Sequence, residues 1–396
     1  MIEGLPRTSA VIAAGIADGL HLGAQVYVSL QGRVVGAGAL GEARVGLNMA
    51  PDQLITWWSM TKAVVAVAVA QLWERDQLGL DDPVARHVPE FAAHGKGGIT
   101  IRHCLTHTGG FRGGDRVRSR AGDPEQWWAE VVAGICEVRP EPRWSPGATA
   151  GYHLAAGTTM LAEVVRRVDG RPFERYVREE LFLPLGMVDC WVGMPLDQVG
   201  RYGARLGTMH DTTGDSAVAL DRLDSRWWLT RCMPGGNGRG PMHELARLYE
   251  ALLGGGAWPA SQGRDQAPDE DAVRILEVQT VEAITARHRA GVVDKTFRIT
   301  CDWGLGLAID NVAMGRHCSP RAYGHGGAQS SMAFADPEVG LAVAIQTNGM
   351  PSPDEHYRRF CAISSAVYED AGLADPADPG RDKPVPVEPG LRVAQR

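Results

Sequence analysis

Trp58-Ser59-Met60-Thr61-Lys62, running into the apolar stretch Ala63 to Ala70, decides how this chain is read. From Ser59 to Arg75 Ala and Val dominate and apolar side chains fall on every face, the pattern of a helix buried all round. Ser59 opens that helix and Lys62 follows three residues later, so the two share a face one turn apart. A serine at a helix start gains from the dipole, which favours negative charge on or near Oγ. A lysine walled by Trp58, Ala63 and Val64 is desolvated, and its pKa falls toward that of a usable base. The spacing alone is weak, because Ser-x-x-Lys arises by chance and a solvated lysine on a surface helix would show it too. Here it occurs once, at a helix start.

Outward from that helix, the N-terminal side predicts a helix over about Thr8 to Gly19 with a Thr or Ser cap. Strands over Gln25–Leu30 and Arg33–Ala39 follow, joined at Gln31-Gly32 as a hairpin. From Ile99 to about Gly256 the pattern is mainly helical, with helices over Glu125–Ala133, Ala155–Val168, Phe173–Leu181 and Glu244–Leu253. Residues 254–272, rich in Gly, Ser, Gln and Asp, predict a surface loop. Strands return at Gly304–Ile309, Ser330–Ala335 and Leu341–Gln346. The last two are linked by Asp336-Pro337-Glu338-Val339-Gly340, where Pro fixes φ and Gly frees it. A helix from about Asp354 to Ala371 and a Pro- and Asp-rich, poorly structured tail end the chain. Strands at both ends with helices between predict an α/β (α+β) sandwich, an antiparallel sheet flanked by helices with an all-helical insertion. The expected division is a discontinuous sheet domain, 1–98 with 273–372, a helical domain, 99–272, and a tail, 373–396.

Two further segments carry chemistry. Trp144-Ser145-Pro146-Gly147 turns a loop that delivers Tyr152 just before a helix. A phenol beside a lysine ammonium is pushed toward phenolate and can relay a proton, although by itself such a tyrosine reads more simply as a core ring. Tyr323-Gly324-His325-Gly326-Gly327-Ala328 precedes a strand, and its glycines leave backbone N–H groups open to an oxyanion, or serve only to turn the chain.

Composition narrows the classes. A net charge of −7 and the lack of basic runs interleaved with aromatics exclude a nucleic-acid partner on electrostatic grounds. No apolar run is long enough to cross a bilayer, and Met1 to Arg7 does not read as a signal peptide, so a cytoplasmic location is expected. Seven scattered cysteines without a Cys-x-x-Cys pair predict reduced thiols. His103 and His107 have helical spacing but lack the Glu of a zinc protease, no metal or cofactor is called for, and no Gly-x-Ser-x-Gly elbow exists. Gly235-Gly236-Asn237-Gly238-Arg239-Gly240 reads as a loop lining the site rather than a phosphate loop.

Taken in order, several segments resemble the serine β-lactamase and penicillin-recognising superfamily, in its class C β-lactamase-related branch. They are Trp58 to Lys62, Leu78-Gly79-Leu80-Asp81-Asp82-Pro83, Leu105-Thr106-His107-Thr108-Gly109-Gly110, Pro184-Leu185-Gly186-Met187, Gly235-Gly236 and Tyr323 to Gly327. That branch also holds family VIII carboxylesterases, D-amino-acid peptidases and natural-product acyltransferases. The resemblance spans about residues 10 to 370 and implies a β-lactamase/transpeptidase-like fold. It places the nucleophile on Ser59, its lysine on Lys62, its tyrosine on Tyr152 and the strand-edge motif on His325-Gly326-Gly327. It also implies an oxyanion hole from the N–H groups of Ser59 and Ala328. One position departs: where the Tyr motif usually reads Tyr-x-Asn, this chain has Leu154, which cannot grip a polar amide. The expectation is serine-dependent acyl transfer from a small-molecule ester or amide, with an amine, an alcohol or water as acceptor. A transacylase in natural-product tailoring or a carboxylesterase comes first, and an amide hydrolase, β-lactamase or D-amino-acid peptidase is the alternative. Eleven tryptophans suggest an aromatic, water-poor pocket, with Trp57, Trp58 and Trp144 near the nucleophile and Trp58 and Leu154 against substrate. The oligomeric state is open.

Overall fold

The computed structural model describes residues 1–259 and 272–386. Most of the predicted loop at 254–272, and the tail beyond Pro386, lie outside the described residues. The chain opens with α1 (Pro6–Ala17), β1 (Gly23–Leu30), β2 (Arg33–Arg44) and β3 (Leu47–Asn48). Next come α2 (Thr61–Glu74), α3 (Pro124–Glu137), α4 (Ala156–Asp169) and α5 (Met242–Leu253). It closes with β4 (Asp302–Trp303), β5 (Ala308–Ile309), β6 (Tyr323–Gly327), β7 (Ser331–Asp336), β8 (Leu341–Thr347) and α6 (Pro353–Asp370). One eight-stranded sheet has the order β4-β5-β6-β7-β8-β1-β2-β3, and every recorded pairing in it is antiparallel. The two chain ends therefore meet at β8 and β1, where Ala24 to Leu30 pair with Thr347 to Leu341. Among the described residues, 99–272 contribute no strand to this sheet.

Local chemistry explains most elements. Leu30 pairs with Arg33 across Gln31 and Gly32, whose φ values of 50° and 75° make the two-residue turn that matches strand twist. Residues Thr61 to Leu72 of α2 are all buried, as its unbroken apolar composition requires, and α2 packs against α4. α1 and α6 lie together on the sheet's other side, over a core that includes Val26, Phe334, Val343 and Phe360.

Three predicted features come out differently. α1 starts at Pro6 without a side-chain cap. Its fixed φ suits the first turn, and the open N–H groups of Arg7 and Thr8 donate to Asp370 at the far end of α6, 3.1 and 2.8 Å away. Gly304–Ile309 is not one strand but the turn and second arm of the β4–β5 hairpin. Gly306 turns at φ 81° where a Cβ would sit 2.6 Å from Ala66 Cβ of α2, so close packing breaks the strand. Ser59 lies in a single 3-10 turn, Trp58–Met60, just ahead of α2. Trp58 there takes φ 52°, a strained value for a bulky residue. The turn is held by its neighbours: Trp57 N–H donates to Gly238 O (2.7 Å), and Ser331 Oγ of β7 donates to Trp57 O (3.1 Å).

Candidate active site

Lys62 leaves the first turn of α2 and is 2 % exposed. Its Nζ stands 2.8 Å from Ser59 Oγ, donates to Gly235 O at 2.6 Å, and lies 5.1 Å from the centre of the Tyr152 ring. Burial lowers its pKa to about 7, against an upward pull from the Asp115 carboxylate. Near neutral pH the amine is thus partly unprotonated and in contact with a serine hydroxyl, an arrangement able to take up the hydroxyl proton. Ser59 itself is only half-buried.

The loop carrying Tyr152 is held from several sides. Tyr152 N–H donates to Asp294 Oδ1 (3.1 Å), and its carbonyl accepts from Thr296 Oγ1 (3.0 Å). Asp294 is fully buried and paired with buried Arg289 at 3.2 Å. The His107 ring packs 4.5 Å from Tyr152 and 4.5 Å from Trp303, and His107 O accepts from Gly151 N–H (3.0 Å). Burial holds His107 and His153 below the ordinary histidine range, so this surround is neutral. α4 follows the loop without a capping side chain of its own. Asp115 supplies the acceptors instead, taking the N–H groups of Leu154 (2.9 Å), Ala155 (2.8 Å) and Ala156 (2.7 Å).

The opposite wall is the edge of β6. β5 pairs only with Tyr323 and Gly324, which leaves His325, Gly326 and Gly327 open on that side. A Cβ at Gly327 would fall 2.3 Å from Trp57 O, so only glycine lets the strand reach the turn that carries Ser59. At Gly326 a Cβ would meet no protein atom closer than 3.5 Å; space there is left for another molecule. His325 Nδ1 lies 2.7 Å from Gly326 O, which fixes its proton there; burial lowers its pKa to about 3, and Nε2 remains a buried acceptor without a partner. Ala328 follows in the turn after β6 and, like Trp58, packs against a small apolar cluster that includes Ile55, Met209 and Met350. Ser59 and Ala328 both border the same opening.

That opening is a cavity of about 580 Å³. Ser59, Tyr152, Leu154, His325, Gly326, Gly327 and Ala328, all predicted, line it together. Trp58 does not: it packs against Trp228 at 6.1 Å. The expected tryptophan shield is also absent. Trp57 is a fully buried core residue bonded to Gly240 O (2.8 Å), and Trp144 packs beneath Arg112 and Lys295. Trp303 is the tryptophan in the wall. Sequence reading missed Gly235 O, Asp115, Asp294 and Arg289 as groups that hold Lys62 and Tyr152. Gly235-Gly236 was visible as a site loop, and a Cβ on Gly235 would lie 2.9 Å from Ala155 Cα. Asp115 and Asp294 carry no local signal for this role, because the loop groups they hold are 39 to 142 residues away.

The family described as Beta-lactamase matches residues 8–367. Esterase EstB of Burkholderia gladioli is 28% identical over 91% of this chain and 94% of its own length. Among solved structures, a penicillin-binding protein homologue from Caulobacter crescentus superposes with a TM-score of 0.74 at 28% identity, covering 93% of this chain and 98% of that one. A family VIII carboxylesterase superposes with a TM-score of 0.75 at 25% identity, covering 93% and 97%.

Proposed function

This chain belongs to the Beta-lactamase family and is an enzyme, and from that premise we propose that it cleaves small-molecule carboxylic esters through an acyl group carried on Ser59. The observation that carries the reading is the contact of Ser59 Oγ with a buried Lys62 whose pKa falls to about 7, at the floor of a cavity. Ser59 Oγ attacks the ester carbonyl carbon while its proton passes to Lys62. The carbonyl oxygen becomes an oxyanion between the N–H groups of Ser59 and Ala328. Collapse breaks the bond to the leaving oxygen, which takes the proton back through Lys62 and Tyr152 and departs as the alcohol. An acceptor then gives its proton to the same pair, attacks the acyl carbon and restores Ser59.

The ester preference is supported by Leu154, 37 % exposed in the cavity wall where an amide-gripping side chain would serve a peptide or β-lactam. It is supported too by the esterase relatives. Water is the favoured acceptor, since Trp57 and Trp144 are elsewhere. Transfer to an alcohol or amine, as in small-molecule tailoring, is the second reading, carried by the largely apolar wall.

A fluorophosphonate should add mass on Ser59 alone, and Ser59→Ala should abolish turnover of simple esters. Retention of turnover within about tenfold would refute the mechanism. With ester fixed and alcohols or amines titrated, free acid should dominate; saturable transfer at millimolar acceptor would turn the reading to transacylase. A chromogenic cephalosporin should be turned over with kcat/KM well below about 10⁶ M⁻¹s⁻¹.

A further inference from the structure

The cavity does not end at the nucleophile. Its wall also takes in Asn311, Ala313, Met332, His356, Tyr357 and Pro386, a far end built by the segment after β5, by β7, by α6 and by the C-terminal strap rather than by the elements that carry Ser59 and Tyr152. We propose that this far end is a binding subsite for an uncharged apolar group of the ester, walled on one side by the C-terminal strap that ends, among the described residues, at Pro386. The proposal rests on the ester reading above.

The strap is pinned rather than loose. Both guanidinium nitrogens of Arg381 donate to the Asp310 carboxylate at 2.8 Å, and Lys383 Nζ lies 2.8 Å from Asp310 Oδ1 and donates to Gly315 O at 3.0 Å. Arg381 N–H also donates to Arg316 O at 2.9 Å. Two cations on one carboxylate, with the Lys383 side chain only 7% exposed, make a firmer clasp than an isolated surface pair. Asp310 immediately precedes Asn311, which caps the short turn Val312–Met314 through Oδ1 and Ala313 N–H (2.9 Å). The clasp thus sits against the cavity wall, and three residues later Pro386 is buried in that wall.

The chemistry of the far end selects its occupant. Among the described residues no charged side chain lines it; Arg116, exposed, is the charged residue elsewhere in the cavity wall. His356, 4 % exposed, packs on Phe360 with ring centres 4.8 Å apart and the rings tilted by 51°, and burial keeps it well below the histidine range, hence neutral. Its Nδ1 is buried and has no hydrogen-bond partner among the described residues, so the ring adds no charge to this wall. A hydrocarbon or aromatic group fits; a carboxylate or ammonium does not. Either half of the ester could supply that group.

Two ester series distinguish the halves: p-nitrophenyl esters of acids from acetate to octanoate and phenylacetate, and acetate esters of alcohols from ethanol to 2-phenylethanol. They are measured for the full chain, for Arg381→Ala/Lys383→Ala, which opens the clasp, and for Pro386→Gly, which trims the wall. Expected is a change of about threefold or more in the ratio of long- to short-chain kcat/KM, in one series only, the size of a partial apolar contact. Both variants should shift the same series, and the clasp variant should hydrolyse p-nitrophenyl acetate at close to the parent rate. Ratios unchanged in both series, or long and short esters falling together, overturn the subsite. Fluorophosphonate labelling of Ser59 in the same samples keeps the two ideas separate: labelled protein with unchanged ratios sinks the strap and leaves the ester reading standing.

Discussion

Two lysines are buried in this protein, and their surroundings differ in a way that separates chemistry from support. Lys62 is 2 % exposed and Lys96 is 0 % exposed, and burial lowers the pKa of both. Lys96 Nζ donates to three carbonyls, those of Ala93 (2.9 Å), Cys136 (2.6 Å) and Val138 (2.6 Å). Two of these lie at the C-terminal end of α3, where the dipole and the unpaired carbonyls favour a cation. All three of its protons are therefore engaged, and it does not line the cavity that holds Ser59. Lys62 stands at the N-terminal end of α2, where the dipole disfavours positive charge, and it meets one carbonyl and one hydroxyl. Burial alone does not mark a catalytic lysine. The catalytic role proposed for Lys62 rests instead on a charge the surroundings do not fully support, next to a group whose proton can move.

The comparison can be broken most easily by activity. Lys62→Met and Tyr152→Phe should each lower kcat by about two to four orders of magnitude, and the double variant should lose little beyond the worse single one. Fully additive losses would show that the two act separately. Lys96→Met should instead leave kcat per folded molecule within about twofold, because nothing it touches borders the cavity.

Next in size is the pH response. The base form of Lys62 is the neutral amine, so kcat/KM should fall by about tenfold per unit below pH 7 and level off above it. A flat profile from pH 5.5 to 8.5 would mean that Lys62 does not supply the rate-determining base.

Stability gives the smaller and sharper contrast. Lys96→Met leaves buried carbonyls at the end of α3 unpaired and should cost about 3 kcal/mol in denaturant unfolding. For Lys62 the sign is reversed. Its folded pKa, about 7, lies below its unfolded value, so the unfolded state binds more protons between these two. The burden on folding is full below pH 7 and fades as pH rises toward 10.5, and Lys62→Met should be more stable than the parent chain at pH 6. Equal destabilisation by both substitutions at pH 6 would erase the distinction drawn between the two lysines.

Much of the site was legible in the chain itself, for reasons that concern short range. Ser59 and Lys62 are one turn apart, so helical geometry joins them whatever the rest of the protein does. The glycines at 324, 326 and 327 announce a strand edge that something must approach, and Gly327 does meet the Trp57 carbonyl. The tryptophans misled because adjacency in sequence says nothing about side: Trp57 and Trp58 precede Ser59, yet one fills the core and the other packs on Trp228. Lys96 sits in the sequence Gly95-Lys96-Gly97-Gly98, which carries no apolar pattern, and is fully buried.

Periodicity, turn residues and the Ser59–Lys62 spacing thus determined the fold class, the buried helix and the pair at the centre of the site. Tertiary structure alone decided which lysine meets carbonyls and which meets a hydroxyl, that Asp115 and Asp294 hold the Tyr152 loop, and that Pro386 reaches the far end of the cavity. The physical reason is that pKa, burial and hydrogen-bond satisfaction depend on atoms within a few ångströms in space. Local sequence fixes such neighbours only when they lie within one turn or one hairpin; Gly235, 173 residues from Lys62, is brought to its side by the packing of the whole chain.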